Sequence, residues 1–259
     1  MMKTIMTEIE LSFIIPAFNE ENSIEFALGT IDELKDRMSP YEIVVVDDGS
    51  KDKTFSRATR YANMNGHVKV ISYPKNLGKG YAVKTGFLQA TGEVVIFADS
   101  DMDIDFSIIP RYVKALKHAD IVIASKWHPD SFVNMSTSRR ILSHGFNVLT
   151  RLLTGATLKD TQVGLKVMKK SVFQDIFQRL CVKRYAFDVE LLALAKFYKL
   201  KVVEMPVKLK LHSSFKKREL WKMFVDLLGI AYRLRVIHWY QRKHAYKSRF
   251  SLKGAVENH

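Results

Sequence analysis

The sequence predicts an α/β protein with a mostly parallel sheet flanked by helices. Three observations carry that prediction. Short apolar, β-branched runs alternate with longer helix-like stretches, the pattern of βαβ units. Three of those runs end in polar clusters: Asn19-Glu20-Glu21, Asp47-Asp48-Gly49-Ser50, and Asp99-Ser100-Asp101-Met102-Asp103. At 259 residues and 47% hydrophobic content, the chain can build one large domain, or a domain with an appendage.

Taken in order, residues 11–16, 41–46, 68–72, 93–98 and 120–125 read as strands, because each is a short run rich in Val, Ile and Phe. Residues 20–37, 53–65, 80–90 and 108–118 read as the intervening helices. Residues 126–138 are looser, and 139–153 are helical. Residues 188–198 form a further helix with Asp188 as a candidate N-cap. Residues 201–211 read as a late strand or strand pair broken by Pro206. Loops after parallel strands share one sheet edge, so the three polar clusters should converge there.

The cluster after the fourth strand is the most telling. Alternate residues of an extended segment point the same way, so Asp99, Asp101 and Asp103 are brought to one side. Clustered carboxylates repel unless a cation sits among them. A hard divalent ion with oxygen ligands, shared with a phosphate, suits such a set. A carboxylate at Asp47 or Asp48 can accept hydrogen bonds from a nucleobase or ribose, and capping of the next helix by Ser50 or Asp52 is compatible with that role. Asn76-Leu77-Gly78-Lys79-Gly80 is similar to a Gly-rich anion loop without the Walker spacing.

A single cysteine, Cys181, excludes an intramolecular disulfide framework and suits a reducing compartment. No signal peptide or membrane-spanning helix is expected. The net charge of +14 is uneven: residues 207–253 carry thirteen Lys or Arg against two acids, which leaves a nearly neutral body. Such a segment seeks anions. Nucleic acid is not expected as the partner, because no zinc motif, ribonucleoprotein signature or helix-turn-helix is visible. A sugar-phosphate nucleotidyltransferase would need a Gly-rich, Arg-containing loop after the first strand, where Pro16-Ala17-Phe18-Asn19-Glu20 stands instead.

In sequence order these pieces resemble inverting glycosyltransferases of the GT-A fold, over roughly residues 11–207. Leu158-Lys159-Asp160-Thr161-Gln162-Val163-Gly164-Leu165-Lys166 and Arg184-Tyr185-Ala186-Phe187-Asp188-Val189-Glu190-Leu191-Leu192 narrow the resemblance to the dolichyl-phosphate (polyprenyl-phosphate) beta-glucosyltransferase branch. Leu165 and Tyr185 depart mildly from its pattern. Eukaryotic members usually begin with a membrane anchor, which is not seen in this sequence.

The resemblance implies a nucleotide sugar, UDP-glucose, as donor and a polyprenyl or dolichyl monophosphate as acceptor. It implies that Pro16, Ala17, Asn19, Glu20, Asp47, Asp48, Lys79 and Asp99 hold the nucleotide. Asp99 and Asp101, with Asp103 beside them, would bind Mg2+ or Mn2+. Lys126, Arg139 and Arg140 would receive the acceptor phosphate, with Gln162 alongside and one of the two arginines facing solvent. Asp160 would orient the acceptor or a basic side chain; a base role arises only for a hydroxyl acceptor. A phosphate monoester has a second pKa of about 6, so its oxygen is a nucleophile without a protein base. Two alternatives stay open: a hydroxyl acceptor in polysaccharide or glycoprotein synthesis, and a GDP-mannose-dependent dolichyl-phosphate mannosyltransferase. Residues two apart on a helix do not share a face, so at most one of Asp188 and Glu190 points at substrate.

The expected organisation is a catalytic domain over 1–212 and a basic amphipathic helical segment over 213–259. Leu220, Met223, Phe224, Leu227, Leu228, Ala231 and Leu234 make an apolar helical stripe. Trp221, Trp239 and Tyr240 read as interface-seeking aromatics. The expectation is a peripheral enzyme held at the cytoplasmic face of an anionic membrane by residues 233–253, with an integral-membrane partner subunit left open.

Overall fold

The computed structural model describes residues 11–38, 40–101, 103–155, 158–210 and 217–241. Its strands are β1 (Leu11–Ala17), β2 (Tyr41–Asp47), β3 (Val68–Ser72), β4 (Val94–Ala98), β5 (Ile121–Ser125), β6 (Phe132–Asn134), β7 (Leu165–Lys169), β8 (Val202–Pro206) and β9 (Lys208–Lys210). Its α-helices are α1 (Ile24–Asp32), α2 (Lys35–Met38), α3 (Thr54–Met64), α4 (Lys79–Gln89), α5 (Ile109–Ala115), α6 (Thr137–Thr154), α7 (Lys170–Arg179), α8 (Phe187–Phe197) and α9 (Lys217–Arg235).

Seven strands form one sheet in the order β3-β2-β1-β4-β7-β5-β8, and β6 pairs with β9 apart from it. Every pairing in the large sheet is parallel except those of β7, which runs antiparallel between β4 and β5. The central strands β1, β4 and β5 are buried on both faces, whereas the edge strands β3 and β8 are only partly covered. Phe13 and Ile15 point into one apolar cluster while Ile14 points into the other, which is why the strand sequences read as unbroken apolar runs. Helix α4 approaches closely: a Cβ on Gly86 would stand 2.4 Å from Ile14 Cγ2.

Four sequence expectations need correction. The helix expected over 20–37 starts only at Ile24, after a turn in which Ser23 and Ile24 donate to the Glu20 carbonyl, and it breaks into α1 and α2 at residues 33–34, where the Leu34 amide donates to the Ile31 carbonyl. Strand β7 and helix α7 lie where no element was anticipated. Asp188 is not an N-cap: it lies inside α8, whose N-cap is Ala186. Tyr240 is not an interface aromatic but 1% exposed.

Helix α9 packs on the body through Met223, Leu227 and Ile230, while Trp221, Val225, Leu228 and Tyr232 are exposed. Leu228 thus leaves the anticipated stripe and Ile230 joins it. Arg233 turns inward to Tyr240 and Glu190, and Arg235 donates to the Leu152 carbonyl. Residues 242–253 of the expected anchor lie outside the described residues. No helix among the described residues is long and apolar enough to cross a membrane.

Candidate active site

A cavity of about 750 Å³ opens at the C-terminal edge of the parallel strands. The ends of β1, β2 and β4 supply one wall. Around it stand the loop before α4, the end of β5, the segment before β7, the start of α8, β9, and the N-terminal parts of α6 and α9. The edge predicted from the polar clusters is therefore where the cavity lies.

On the first wall, Pro16, Ala17, Glu20, Asp48 and Lys79, five of the residues that the resemblance assigns to the nucleotide, line the cavity. Asn19 and Asp47 are not among the lining residues. Asn19, at φ 57°, accepts from the Lys51 amide and its own amide donates to Ser50 Oγ, so it ties two loops together. Asp47 is 2% exposed and accepts from Ser72 Oγ. Asp48 accepts from the Leu77 and Gly78 amides at 2.7 and 2.9 Å, which shapes the Gly78 turn. At φ 103° that turn favours glycine, and a Cβ there would sit 2.5 Å from the Lys183 carbonyl oxygen.

Along the β4 edge, Asp99, Asp101 and Asp103 all line the cavity. Among the described residues no three acidic, His or Cys side chains are grouped to hold one metal ion. The Asp103 amide donates to Asp101 Oδ1. Burial pushes the Asp101 carboxyl above the usual carboxylate range, and Asp99 adds to that. Burial likewise raises Glu20; Ser23 Oγ opposes the rise, and Asp101 and Asp99 reinforce it.

Lys79 Nζ lies 2.7 Å from Asp99 Oδ1 and 2.8 Å from Oδ2. Burial lowers this ammonium, but Asp99 and Asp188 outweigh burial and raise it. Behind it, Asp188 pairs with Lys166 at 2.7 Å, and both are nearly inaccessible. Lys166 also donates to the Val163 carbonyl. Both ammonium groups lie over the Phe97 ring of β4, 5.2 and 5.5 Å from its centroid. Signs alternate from Asp99 through Lys79 and Asp188 to Lys166. Asp188 lines the cavity and Glu190 does not, as the helical spacing requires.

On the opposite side, Lys126, Arg139 and Gln162 line the cavity, whereas Arg140 is exposed and does not. Ser136 caps α6 by accepting from the Arg139 amide, which fixes where the Arg139 side chain begins. Burial lowers Arg139, and Asp103 and Asp101 oppose that. Asp160 is fully buried. Its carboxylate accepts from the amide and ammonium of Lys126, each at 2.9 Å, and from the Gln162 amide. It orients Lys126 rather than facing the cavity.

Sequence reading missed Phe18 and Tyr185 as lining residues, and also Arg218 and Lys222 of α9. The cations at 216–218 and 222 were visible, but only as part of a membrane-seeking charge run. Glu219 lies with Arg218 and Lys222 at 3.5 and 2.8 Å.

The sequence pattern of glycosyl transferase family 2 matches residues 12–177. A dolichyl-phosphate beta-glucosyltransferase of Drosophila melanogaster is 38% identical over 217 residues, 77% of this chain and 67% of that protein. One from Trichomonas vaginalis is 33% identical over 249 residues, 90% of this chain and 74% of that protein. Among solved structures, glucosyl-3-phosphoglycerate synthase from Mycobacterium tuberculosis, in complex with Mn2+, UDP-glucose and phosphoglyceric acid, superposes with a TM-score of 0.66. It is 22% identical, over 86% of this chain and 79% of that one. That likeness bears on the fold, and the architecture is the GT-A fold expected from the sequence.

Proposed function

The chain belongs to glycosyl transferase family 2, and we propose that it moves glucose from UDP-glucose to dolichyl or polyprenyl monophosphate with inversion. The sugar and acceptor rest on the relatives, which are named dolichyl-phosphate beta-glucosyltransferases. The observation that favours a phosphate acceptor is the state of Asp160. This carboxylate, the base candidate for a hydroxyl acceptor, is fully buried and committed to Lys126. An acceptor that is already anionic at neutral pH needs no proton removed. It needs cationic side chains to bring it to a negatively charged donor.

In this reading Pro16, Ala17, Glu20 and Asp48 hold the base and ribose, with Lys79 on the diphosphate. Lys126 and Arg139 receive the acceptor phosphate beside Gln162. Asp99 and Asp101 fit a hard divalent cation: they lie two apart, line one wall, and Asp101 is raised first by burial and then by the Asp99 charge. Bound Mg2+ or Mn2+ would stabilise the charge on the departing nucleotide. Asp103 lines the same cavity and its charge acts on Arg139, which suits a role beside the acceptor groups.

The enzyme docks on the cytoplasmic face of a membrane, where a polyprenyl phosphate presents its head group. Exposed apolar side chains on two packed helices support this: Ile141 and Leu142 of α6, and Trp221, Val225 and Leu228 of α9. The basic segment past residue 241 adds attraction to anionic lipid. Catalytic core and basic tail then divide near residue 212, with α9 belonging to both surfaces.

The test is transfer of radiolabel from a panel of UDP- and GDP-sugars to dolichyl phosphate in vesicles, followed by extraction into organic solvent. UDP-glucose should be preferred and the product should carry a β-linked glucosyl phosphate. Preference for GDP-mannose, or for a hydroxyl acceptor, would replace this reading.

A further inference from the structure

Glu190 is 0% exposed, faces away from the cavity, and has no part in the reaction as proposed, yet it collects four donors. Its Oε2 accepts from the amides of Cys181 and Val182 at 2.9 and 2.8 Å. Its Oε1 accepts from the Tyr240 hydroxyl and from Arg233 Nη2, the latter at 3.4 Å. Arg233 Nε donates in turn to the Tyr240 hydroxyl at 2.8 Å, and the Tyr240 carbonyl accepts from Arg179 and Tyr198. One carboxylate thus joins the 181–184 segment to the end of the C-terminal helix. A buried ion surrounded by four donors tolerates no loss lightly, because removing one leaves charge desolvated without compensation.

The 181–184 segment is the back wall of the loop assigned to the donor phosphates. The Lys183 carbonyl accepts from the Tyr81 amide at 3.0 Å. A Cβ at Gly80 would lie 2.8 Å from the Val182 carbonyl oxygen, just as one at Gly78 would strike that of Lys183. The next residue, Arg184, is held to Asp226 of α9 through two bonds of 2.6 and 3.1 Å. The contact path therefore runs from Tyr240 through Glu190 and residues 181–183 to residues 78–81, which carry Lys79.

We infer that Glu190 is a positioning residue for the nucleotide-sugar site, and that Tyr240 makes the docked C-terminal helix a structural part of that site. The inference rests on the proposed donor site. It specifies where the energetic effect appears: in donor affinity, and not in the acceptor groups Lys126 and Arg139, which the path does not touch.

The experiment uses the full chain and three proteins: wild type, Tyr240→Phe and Glu190→Gln. Phe keeps the ring and removes one donor from Oε1. Gln keeps an oxygen for the Cys181 and Val182 amides. Binding of UDP-glucose with Mn2+ is measured by calorimetry, acceptor and donor KM by initial rates, and folding by thermal melts. The expected result for Tyr240→Phe is a three- to tenfold weaker Kd and higher KM for UDP-glucose, with acceptor KM within twofold of wild type. Glu190→Gln should move the same constants in the same direction. Equal donor affinity in a folded Tyr240→Phe protein overturns the inference, as does a matched rise in both KM values. If that variant does not fold, the folded Glu190→Gln protein decides by the same criteria. Failure of wild type to bind any nucleotide sugar would instead remove the functional reading, and the inference with it.

Discussion

The Asp99 carboxylate occupies the space where Gly164 would carry a side chain. A Cβ on Gly164 would stand 1.8 Å from Asp99 Oδ2 and 2.3 Å from its Cγ, and the Asp99 amide donates to the Gly164 carbonyl. The glycine is needed for room rather than for backbone freedom. Gly164→Ala is therefore expected to push Asp99 off Lys79 while preserving the fold. A displacement of about 1 Å in a positioned group costs on the order of a hundredfold in rate. Wild-type turnover in the alanine variant, with UDP and metal binding unchanged, would contradict this.

Asp101→Asn and Asp99→Asn keep shape and remove charge. Each should lower turnover by about two to three orders of magnitude, the scale of losing one group that stabilises developing charge. The informative readout is thermal stabilisation by Mn2+ with UDP, which should shrink together with activity. Asp103→Asn should lose less, because the carboxylate charge that acts on Asp101 is that of Asp99, whereas Asp103 acts on Arg139. Equal losses at all three positions would restore the three-carboxylate site.

Much of this site was legible in sequence, and the parts that were not have physical reasons. β1, β2 and β4 are buried on both faces, so they read as continuous apolar runs and their polar ends marked the cavity edge. β7 escaped notice because Lys166 interrupts it. That lysine is 1% exposed and is compensated by Asp188, more than twenty residues away. The same pairing explains why Asp188 looked like a helix cap: a carboxylate in a first helical turn has a local explanation, and its actual partner is distant. Helical spacing did separate Asp188 from Glu190. It could not show that Glu190 answers to Tyr240, fifty residues later. Arg139 and Arg140 are adjacent cations, and only the α6 start at Thr137, capped by Ser136, decides which one enters the cavity.

That choice can be measured. Arg139→Ala removes a charged donor from the acceptor side and should raise acceptor KM about ten- to hundredfold, from the roughly 1.5–3 kcal/mol of a charge-assisted hydrogen bond. Donor KM should change little. Arg140→Ala, at an exposed position, should change neither by more than about twofold. Lys126→Ala is a poorer probe, because it leaves Asp160 buried without its ammonium partner and should destabilise the fold as well. A larger effect at Arg140 than at Arg139 would reverse the assignment.

A different carboxylate predicts pH-dependent stability far from the cavity. Asp32 accepts from the Tyr41 and Tyr61 hydroxyls and from His67 Nε2 at 2.7, 2.5 and 2.8 Å. Burial raises this carboxyl, but the hydrogen bonds from Tyr61, His67 and Tyr41 outweigh it and hold the group below its ordinary value. The sign follows from linkage. A depressed carboxyl stabilises the fold above the unfolded pKa, about 3.9, and that contribution is lost as pH falls through the lower folded value. Asp32→Asn should cost about 1–2 kcal/mol at neutral pH, and the gap from wild type should narrow below pH ~4. A gap independent of pH in denaturant melts would mean that the charge contributes nothing.

Membrane docking makes the last prediction, and it separates two kinds of attachment. Within the expected 233–253 anchor, Arg233 and Arg235 are engaged with the protein's own Tyr240, Glu190 and Leu152, so electrostatic attachment through that segment would draw mainly on the cations beyond residue 241. Trp221 and Ile141, by contrast, are 66% and 69% exposed on packed helices, and residues of both helices line the cavity mouth. If this face enters the lipid interface, Trp221→Glu with Ile141→Glu should lower vesicle binding at least tenfold, at high salt as well as low. Each charged group near an anionic bilayer is worth on the order of 1 kcal/mol and is screened by salt, so truncation after residue 241 should matter mainly at low salt. Turnover on a short-chain, water-soluble acceptor should survive the double substitution, because neither side chain lines the cavity. Vesicle binding that is unchanged in the double variant and abolished by truncation would assign attachment to the basic tail alone.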